Sequence, residues 1–284
     1  MMNHAKTKGY DRLVTLSEES AGEAPIRWPE HLDDDDLCFA PDLVSLAGTE
    51  DYAGMDDAAR RRLTLFEAAN FFSLNIHGET HVIKGIAARL NEPRFAAHRG
   101  YLQHFLEEEV RHSAMFATFC RRYAGKVYAE RSLAMSDDHG PDGDLLFFAR
   151  IAVFEEIVDA FNRTMARDQT LAPVVREIHR RHHVDEARHL AFGRSFLNDI
   201  VAARASDWTA DERHAVAHKL ERFADQSWRL LFNPEVYADA GLGDVFALRR
   251  RAIASEASQQ RRDWTLRGCR RLLSRLDPVG PAVS

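Results

Sequence analysis

The chain has 284 residues, 45% of them hydrophobic and 29% charged, and this length can bury one large core or two small ones. The formal net charge of −6 gives no reason to expect nucleic acid or an anionic membrane as a partner. The N-terminus lacks the apolar run of a signal peptide, and no stretch approaches the roughly 20 apolar residues of a membrane-spanning helix.

The cysteine pattern bears on the cellular compartment. Cys38, Cys120 and Cys269 are odd in number and far apart, so they form neither a disulfide framework nor a CxxC metal pair. Unpaired cysteines of this kind are typical of a reducing environment, and we expect a cytoplasmic protein.

The chain divides into three regions by composition. Residues 1–55 are polar and are broken by Pro29 and Pro41, which predicts an irregular N-terminal segment that packs on the core. Residues 56–242 carry helical periodicity and form the main domain. Residues 243–284 are expected to form a C-terminal helical extension and tail.

The main domain is predicted to be all-α. No period-2 run marks a strand, and glycine and proline are sparse. Five helices are predicted, at about 57–90, 93–123, 145–167, 170–203 and 209–233. The first four are long and favour a four-helix bundle core, with extra helices flanking it.

Two of these helices repeat one motif. The sequence EEVRH at 108–112 and the sequence DEARH at 185–189 each place a glutamate three residues before a histidine. Residues three apart share a helix face, so each pair can present a carboxylate oxygen and an imidazole nitrogen to one point. A single pair is weak evidence, but two copies on apolar stripes indicate a buried metal site.

Di-metal carboxylate sites in helix bundles also need one glutamate from each of the two remaining helices. On the first helix Glu79 is preferred to Glu67, and on the third helix Glu155 is preferred to Glu156, because the preferred stripes are more apolar or better placed. Each preferred glutamate precedes the glutamate of the next motif by 30 or 31 residues. Both choices stay open at this point.

The sequence has one histidine more than this general pattern requires. His182 lies one turn before Glu186 on the same helix face, which favours a third histidine ligand over a buried histidine hydrogen-bonded beside the site. Carboxylates and imidazoles without thiolates suit iron or manganese, and zinc is not excluded by ligand type.

The residues between the ligands have a predicted role as well. Metal-bound imidazoles usually donate their second N–H to a carboxylate, and Glu108 and Asp185 each precede a ligand glutamate. Either acid can reach a histidine on the facing helix. Arg111 and Arg188 can pair with these acids or form ordinary surface ion pairs.

The paired motifs resemble those of ferritin-like di-iron oxygenases. With the extra histidine of HHVDEARH, the chain is similar to the AurF/CmlI-type family of di-iron arylamine N-oxygenases. The segments SLAGTEDY and NPEVYADAGL add to the resemblance, which covers roughly residues 28–242. It implies a ferritin-like bundle with two non-haem iron ions bridged by carboxylate, and O₂ as co-substrate.

The resemblance also implies an activity, its partners and a ligand set. The activity is oxidation of an amine nitrogen, expected to be that of an arylamine, toward a hydroxylamine, nitroso or nitro product. The expected partners are a small-molecule amine and an external electron donor or reductase. A homodimer is a separate expectation that the resemblance does not supply. One iron would take Glu79, Glu109 and His112, and the other Glu155, His182, Glu186 and His189.

Two other functions remain open from the sequence. One is a di-iron C–H hydroxylase or desaturase acting on a small apolar substrate, because the ligands do not encode the substrate pocket. The other is a non-catalytic iron-binding or storage bundle.

Overall fold

A computed structural model describes residues 4–131, 140–204 and 206–276, and these residues are helical without a strand. An isolated parallel β-bridge joins Leu37 and Leu171. The all-α prediction is confirmed. The α-helices are α1 His4–Ala21, α2 Glu50–Ala53, α3 Asp57–Arg89, α4 Arg99–Phe119, α5 Gly140–Met165, α6 Pro173–Arg204, α7 Ala210–Leu230, α8 Pro234–Asp239, α9 Val245–Ala254, α10 Glu256–Thr265 and α11 Arg267–Leu276.

The core is a bundle of the four long helices α3 to α6. Helix α3 packs along α4, helix α5 packs along α6, and the two pairs face each other. Local signals set several of the helix ends. At the start of α3, for example, the Asp56 side chain accepts a hydrogen bond from the amide of Ala59. A capping box between Thr209 and Glu212 starts α7 as its sequence predicts.

Helices α3 and α5 come close together beside two of the expected ligands. A Cβ atom at Gly78 would lie 2.5 Å from Cζ of Phe154, so only glycine lets this ring rest on the backbone of α3. The next residues in sequence are Glu79 on α3 and Glu155 on α5. The close approach therefore occurs at the level of these two glutamates.

The N-terminal region differs from its prediction. Residues 1–55 were expected to be irregular, but α1 forms an 18-residue helix within them. Its side chains reach α6, because Ser17 Oγ accepts from Arg188 Nε at 3.2 Å and Ser20 Oγ donates to Asp185 Oδ1 at 2.7 Å. Helix α1 carries no acidic first turn or basic last turn, so packing on α4 and α6 stabilises it more than local signals do.

The C-terminal helices cover the opposite side of the bundle. Helices α10 and α11 pack on α5, and α11 also contacts α7. Among the described residues, no helix has both the length and the apolar character that crossing a membrane requires.

Candidate metal centre

Carboxylates and imidazoles from all four bundle helices converge in the interior. Two groups each bring three potential ligand atoms within 4.8 Å of one another: Glu79, His112 and His182 in one group, and Glu109, Glu186 and His189 in the other. Glu155 lies beside the second group, with Oε1 3.8 Å from Nδ1 of His189. All seven side chains are buried.

The two motif glutamates lie between the groups. Glu186 places Oε1 2.7 Å from Nε2 of His182, while its Oε2 is 3.5 Å from Nδ1 of His189. Glu109 Oε1 is 3.1 Å from Nδ1 of His189 and 3.8 Å from Nδ1 of His112. Both carboxylates are thus placed where they can bridge two metal ions.

The grouping of His182 differs from the sequence expectation. His182 was expected beside Glu155 and His189, but its Nε2 lies 3.6 Å from Oε1 of Glu79, in the group with His112. Helices α4 and α6 run antiparallel, as the contacts of His112 with Asp185 and of His189 with Glu108 show. One turn back along α6 is therefore one turn forward along α4, past His112.

Several inward-facing atoms of this cluster have no hydrogen-bond partner. Buried polar atoms are almost always paired, so such a concentration of unpaired atoms needs an explanation. The donor set, with oxygen and imidazole nitrogen and no thiolate, fits a pair of iron or manganese ions. The unpaired atoms are Glu79 Oε1, Glu109 Oε1, His112 Nδ1, both Glu155 oxygens, Glu186 Oε2 and His189 Nδ1.

The electrostatics of the cluster favour the binding of positive charge. Burial and then the nearby Glu109 raise the pKa of Glu79 well above its usual value. Burial and then Glu186 do the same to the pKa of Glu155. Burial opposes ionisation of Glu186 too, but His182 and His189 outweigh it and lower the pKa of that carboxyl. Two cations here would favour the ionised form of all these groups.

Each motif histidine is held from behind by an acid of the facing helix. Nε2 of His112 lies 3.0 Å from Oδ2 of Asp185, and Nε2 of His189 lies 2.8 Å from Oε2 of Glu108. A histidine that donates from Nε2 keeps the lone pair of Nδ1 for a metal. The crossed pattern thus points Nδ1 of both histidines into the cluster.

The two motif arginines have different surroundings. Arg188 is buried and donates to both Glu108, at 2.6 Å, and Asp185. Arg111 has a side chain that is 43% exposed, and its Nη2 lies 3.8 Å from Glu108. Arg188 therefore ties together the two acids that hold the histidines, and Arg111 lies at the rim.

The two alternative glutamates point elsewhere. Glu67 accepts from both the amide and the hydroxyl of Ser45, and burial raises the pKa of Glu67 to about 7. Glu156 accepts from Arg194 and packs against Gly268 of α11. Neither carboxylate lies in either metal-ligand group.

Sequence reasoning gave no role to three polar residues around the cluster. Ser113 Oγ donates to Glu79 Oε2 at 2.7 Å, Ser20 holds Asp185 from α1, and Asn162 contacts His182. Ser113 follows a motif histidine directly and Asn162 shares a stripe with Glu155, so their positions were visible, but their partners were not.

A cavity of about 310 Å³ opens on the α1 side of the centre. Its lining includes Trp28, Arg111, Met115, His112 and Asp185. Solvent can thus approach the outer side of His112.

A buried carboxylate and imidazole cluster inside a four-helix bundle defines a non-haem di-metal protein of the ferritin-like class. Solved structures agree on the fold. A variant of an R2-like ligand-binding oxidase with an anaerobically reconstituted Mn/Fe cofactor is 14% identical, with a TM-score of 0.53 over 90% of this chain and 92% of its own. Another variant, with an aerobically reconstituted Fe/Fe cofactor, is 15% identical over the same shares, with a TM-score of 0.50.

The family assignment is more specific. The family model described as "P-aminobenzoate N-oxygenase AurF" matches residues 3–277, and the chain belongs to this family. It is therefore an oxidoreductase, a non-haem di-iron N-oxygenase that acts on a small molecule, as the sequence predicted. Comparison with curated proteins gives no significant match.

Proposed function

We propose that this chain oxidises the nitrogen of an arylamine at two iron ions held by the seven converging side chains. One ion would be held by Glu79, His112 and His182, and the other by Glu155 and His189. Glu109 and Glu186, which lie between the two groups, would help to hold both ions. The observation that carries this assignment is the set of buried, inward-facing atoms without hydrogen-bond partners.

The residues of this chain would supply position and charge. When bound, the two irons supply the electrons and the binding site that O₂ reduction requires. Asp185 and Glu108 fix the orientation of His112 and His189, and Arg188 balances the charge of both acids. All seven side chains are buried, which limits the contact of the cluster with bulk water.

The proposed substrate and donor follow from this chemistry. An arylamine has the apolar ring and the uncharged nitrogen that a centre buried among aromatic side chains favours. Returning the irons to the reduced state consumes electrons, which supports an external donor or reductase as partner. A homodimer stays a prediction.

Product analysis tests the proposed activity. The protein is loaded anaerobically with Fe(II), mixed with O₂ and a panel of arylamines, and the products are identified by mass spectrometry. We expect hydroxylamine, nitroso or nitro compounds. Ring-hydroxylated or desaturated products alone would favour C–H oxidation. Mineral accumulation without an organic product would favour storage, and either outcome would contradict N-oxygenation.

Metal analysis tests the ligand set separately. His182→Gln is expected to lower the iron content from two ions to about one, with helicity retained. His183→Gln is the matched control, because His183 is the neighbouring residue and its Nδ1 contacts Asp159 outside the cluster. Two irons in both variants would exclude His182 as a ligand.

A further inference from the structure

Asn162 lies between two histidines of α6. This side chain is fully buried on α5. Its Nδ2 is 2.9 Å from Nδ1 of His182, and its Oδ1 is 2.8 Å from Nδ1 of His179. The amide therefore connects the proposed third histidine ligand to a histidine outside both ligand groups.

The hydrogen positions in this arrangement follow from donor chemistry. An amide nitrogen only donates, so Nδ1 of His182 accepts and the proton of a neutral His182 is on Nε2. That Nε2 lies 2.7 Å from Oε1 of Glu186 and donates to it. His179 donates from Nδ1 to the amide oxygen, and its Nε2 has no partner.

This arrangement is incompatible with a metal on His182. A neutral imidazole that binds a metal through Nε2 carries its proton on Nδ1. The Nδ1–H of His182 would then face the amide N–H of Asn162. Two buried donors would point at each other, and neither would have an acceptor. A half-turn of the amide removes the conflict, because the oxygen then faces His182 and the nitrogen faces His179.

The half-turn has a consequence at His179. Once the amide nitrogen donates to Nδ1 of His179, that atom must accept, and the proton of His179 has to be on Nε2. His179 stays uncharged in both arrangements, since burial and then His182 lower its pKa to about 3. The change is a shift of one proton between the two nitrogens of a neutral ring.

We propose that Asn162 is a positioning residue for His182, and that metal binding reverses its amide and moves the proton of His179 from Nδ1 to Nε2. The inference rests on the proposed ligand role of His182, but not on which substrate is oxidised. Asn162 is a neutral amide, whereas carboxylates hold His112 and His189. His182 is thus the one of the three that needs a rearrangement to bind.

Tautomer measurement on the wild-type chain tests this directly. Histidine is labelled with ¹⁵N, and ring-nitrogen shifts are recorded for the metal-free protein and for the protein loaded with two equivalents of Zn(II), a diamagnetic probe. Resonances are assigned with His179→Phe. We expect His179 to carry its proton on Nδ1 without metal and on Nε2 with zinc. An unchanged His179 tautomer, while Nε2 of His182 shifts on zinc binding, would overturn the proposal.

A different failure would identify a different error. If zinc binds but Nε2 of His182 does not respond, His182 is not a ligand and the inference falls with that assignment. N-oxygenation measured with iron is independent of both readouts, so failure of the proposed function is distinguishable.

Variants of Asn162 test the positioning role. Asn162→Leu has a similar size and no side-chain hydrogen bonds. We expect the metal held by His182 to lose about 10- to 100-fold in affinity in chelator competition. Asn162→Asp accepts from Nδ1–H of His182 without a rearrangement, so it should restore affinity and leave His179 protonated on Nδ1 with and without metal.

The control is a buried asparagine away from the centre. The side-chain nitrogen of Asn70 donates to the backbone carbonyls of Leu230 and Leu231, and its side-chain oxygen accepts from Asn233. Asn70 lies nine residues before Glu79 on α3. Asn70→Leu is expected to keep both metal affinities. Wild-type metal affinities in Asn162→Leu would overturn the positioning role.

Discussion

The motifs EEVRH on α4 and DEARH on α6 have nearly the same sequence and different surroundings. One turn before its glutamate, α6 carries His182, whose Nε2 enters the cluster. The matching position on α4 is Phe105, whose ring stacks on His189 with centroids 3.7 Å apart. Two similar motifs therefore present different side chains to the cluster.

The arginines of the motifs differ in the same way. Helix α1 covers Arg188, which is buried between two acids, while Arg111 faces the cavity at the rim. The comparison teaches that a motif specifies which side chains share a helix face. The packing around it decides the task of each side chain.

Replacing His182 of α6 with the phenylalanine that α4 carries at the matching position should have the largest effect on metal binding. His182→Phe is expected to lower the bound iron from two ions to about one, because the group of Glu79 and His112 loses its third side chain. Metal analysis after anaerobic loading measures this. Phe105→Leu is the counterpart on α4 and should retain two irons. Equal iron content in both variants would show that the two positions are equivalent.

Removing the buried arginine should destabilise the fold strongly. Arg188→Met leaves Glu108 and Asp185 without their shared counter-charge, and we expect a loss of about 3–5 kcal/mol in the free energy of unfolding. Arg111→Met removes an exposed partner at 3.8 Å and should cost less than about 1 kcal/mol. Urea unfolding of the metal-free proteins measures both. Similar losses would contradict the assigned difference between the arginines.

A buried glutamate outside both motifs provides a reference for burial without a metal. Burial raises the pKa of Glu67 to about 7, against an ordinary value of 4.5. Between these values the folded state binds more protons than the unfolded state, so the free energy of unfolding falls as pH rises. Glu67→Gln should remove about 3 kcal/mol of this fall, since one pKa unit corresponds to about 1.4 kcal/mol.

The measurement is urea unfolding at about pH 5 and pH 8 for metal-free wild type and variant. Burial also raises the pKa of Glu79 and Glu155, so the Glu67→Gln variant keeps a residual slope of the same sign. A slope in Glu67→Gln equal to that of wild type would show that Glu67 is ionised when folded.

The smallest expected effects come from the acids behind the histidines. Asp185→Asn should weaken the metal held by His112 by about 10- to 100-fold, and Glu108→Gln should do the same for the metal held by His189. Competition with a chelator for the two metals in turn measures these affinities. If both variants weaken the same metal, the crossed pairing of acids and histidines is wrong.

Local periodicity was enough to predict the four long helices and which side chains share a face within each motif. The pairs Glu109 with His112 and Glu186 with His189 share helix faces because residues three apart always do. The same argument placed His182 on the face of Glu186. The capping box of Thr209 and Glu212 gave the start of α7 without tertiary information.

Tertiary structure decided what periodicity leaves open. Glu67 and Glu79 are both buried on α3, and only the packing shows that Glu67 meets Ser45 while Glu79 meets the cluster. The metal group of His182 depends on the antiparallel run of α4 and α6. Helix α1 has weak local signals and forms where it can pack.

The sequence by itself thus determined which side chains can act together within one helix, because the 3.6-residue repeat is a local property of the backbone. Only the tertiary structure decided which helices meet at which height, and with that the partners of Asn162, Arg188 and His182. Contacts between helices depend on the packing of the whole core, which no single segment encodes.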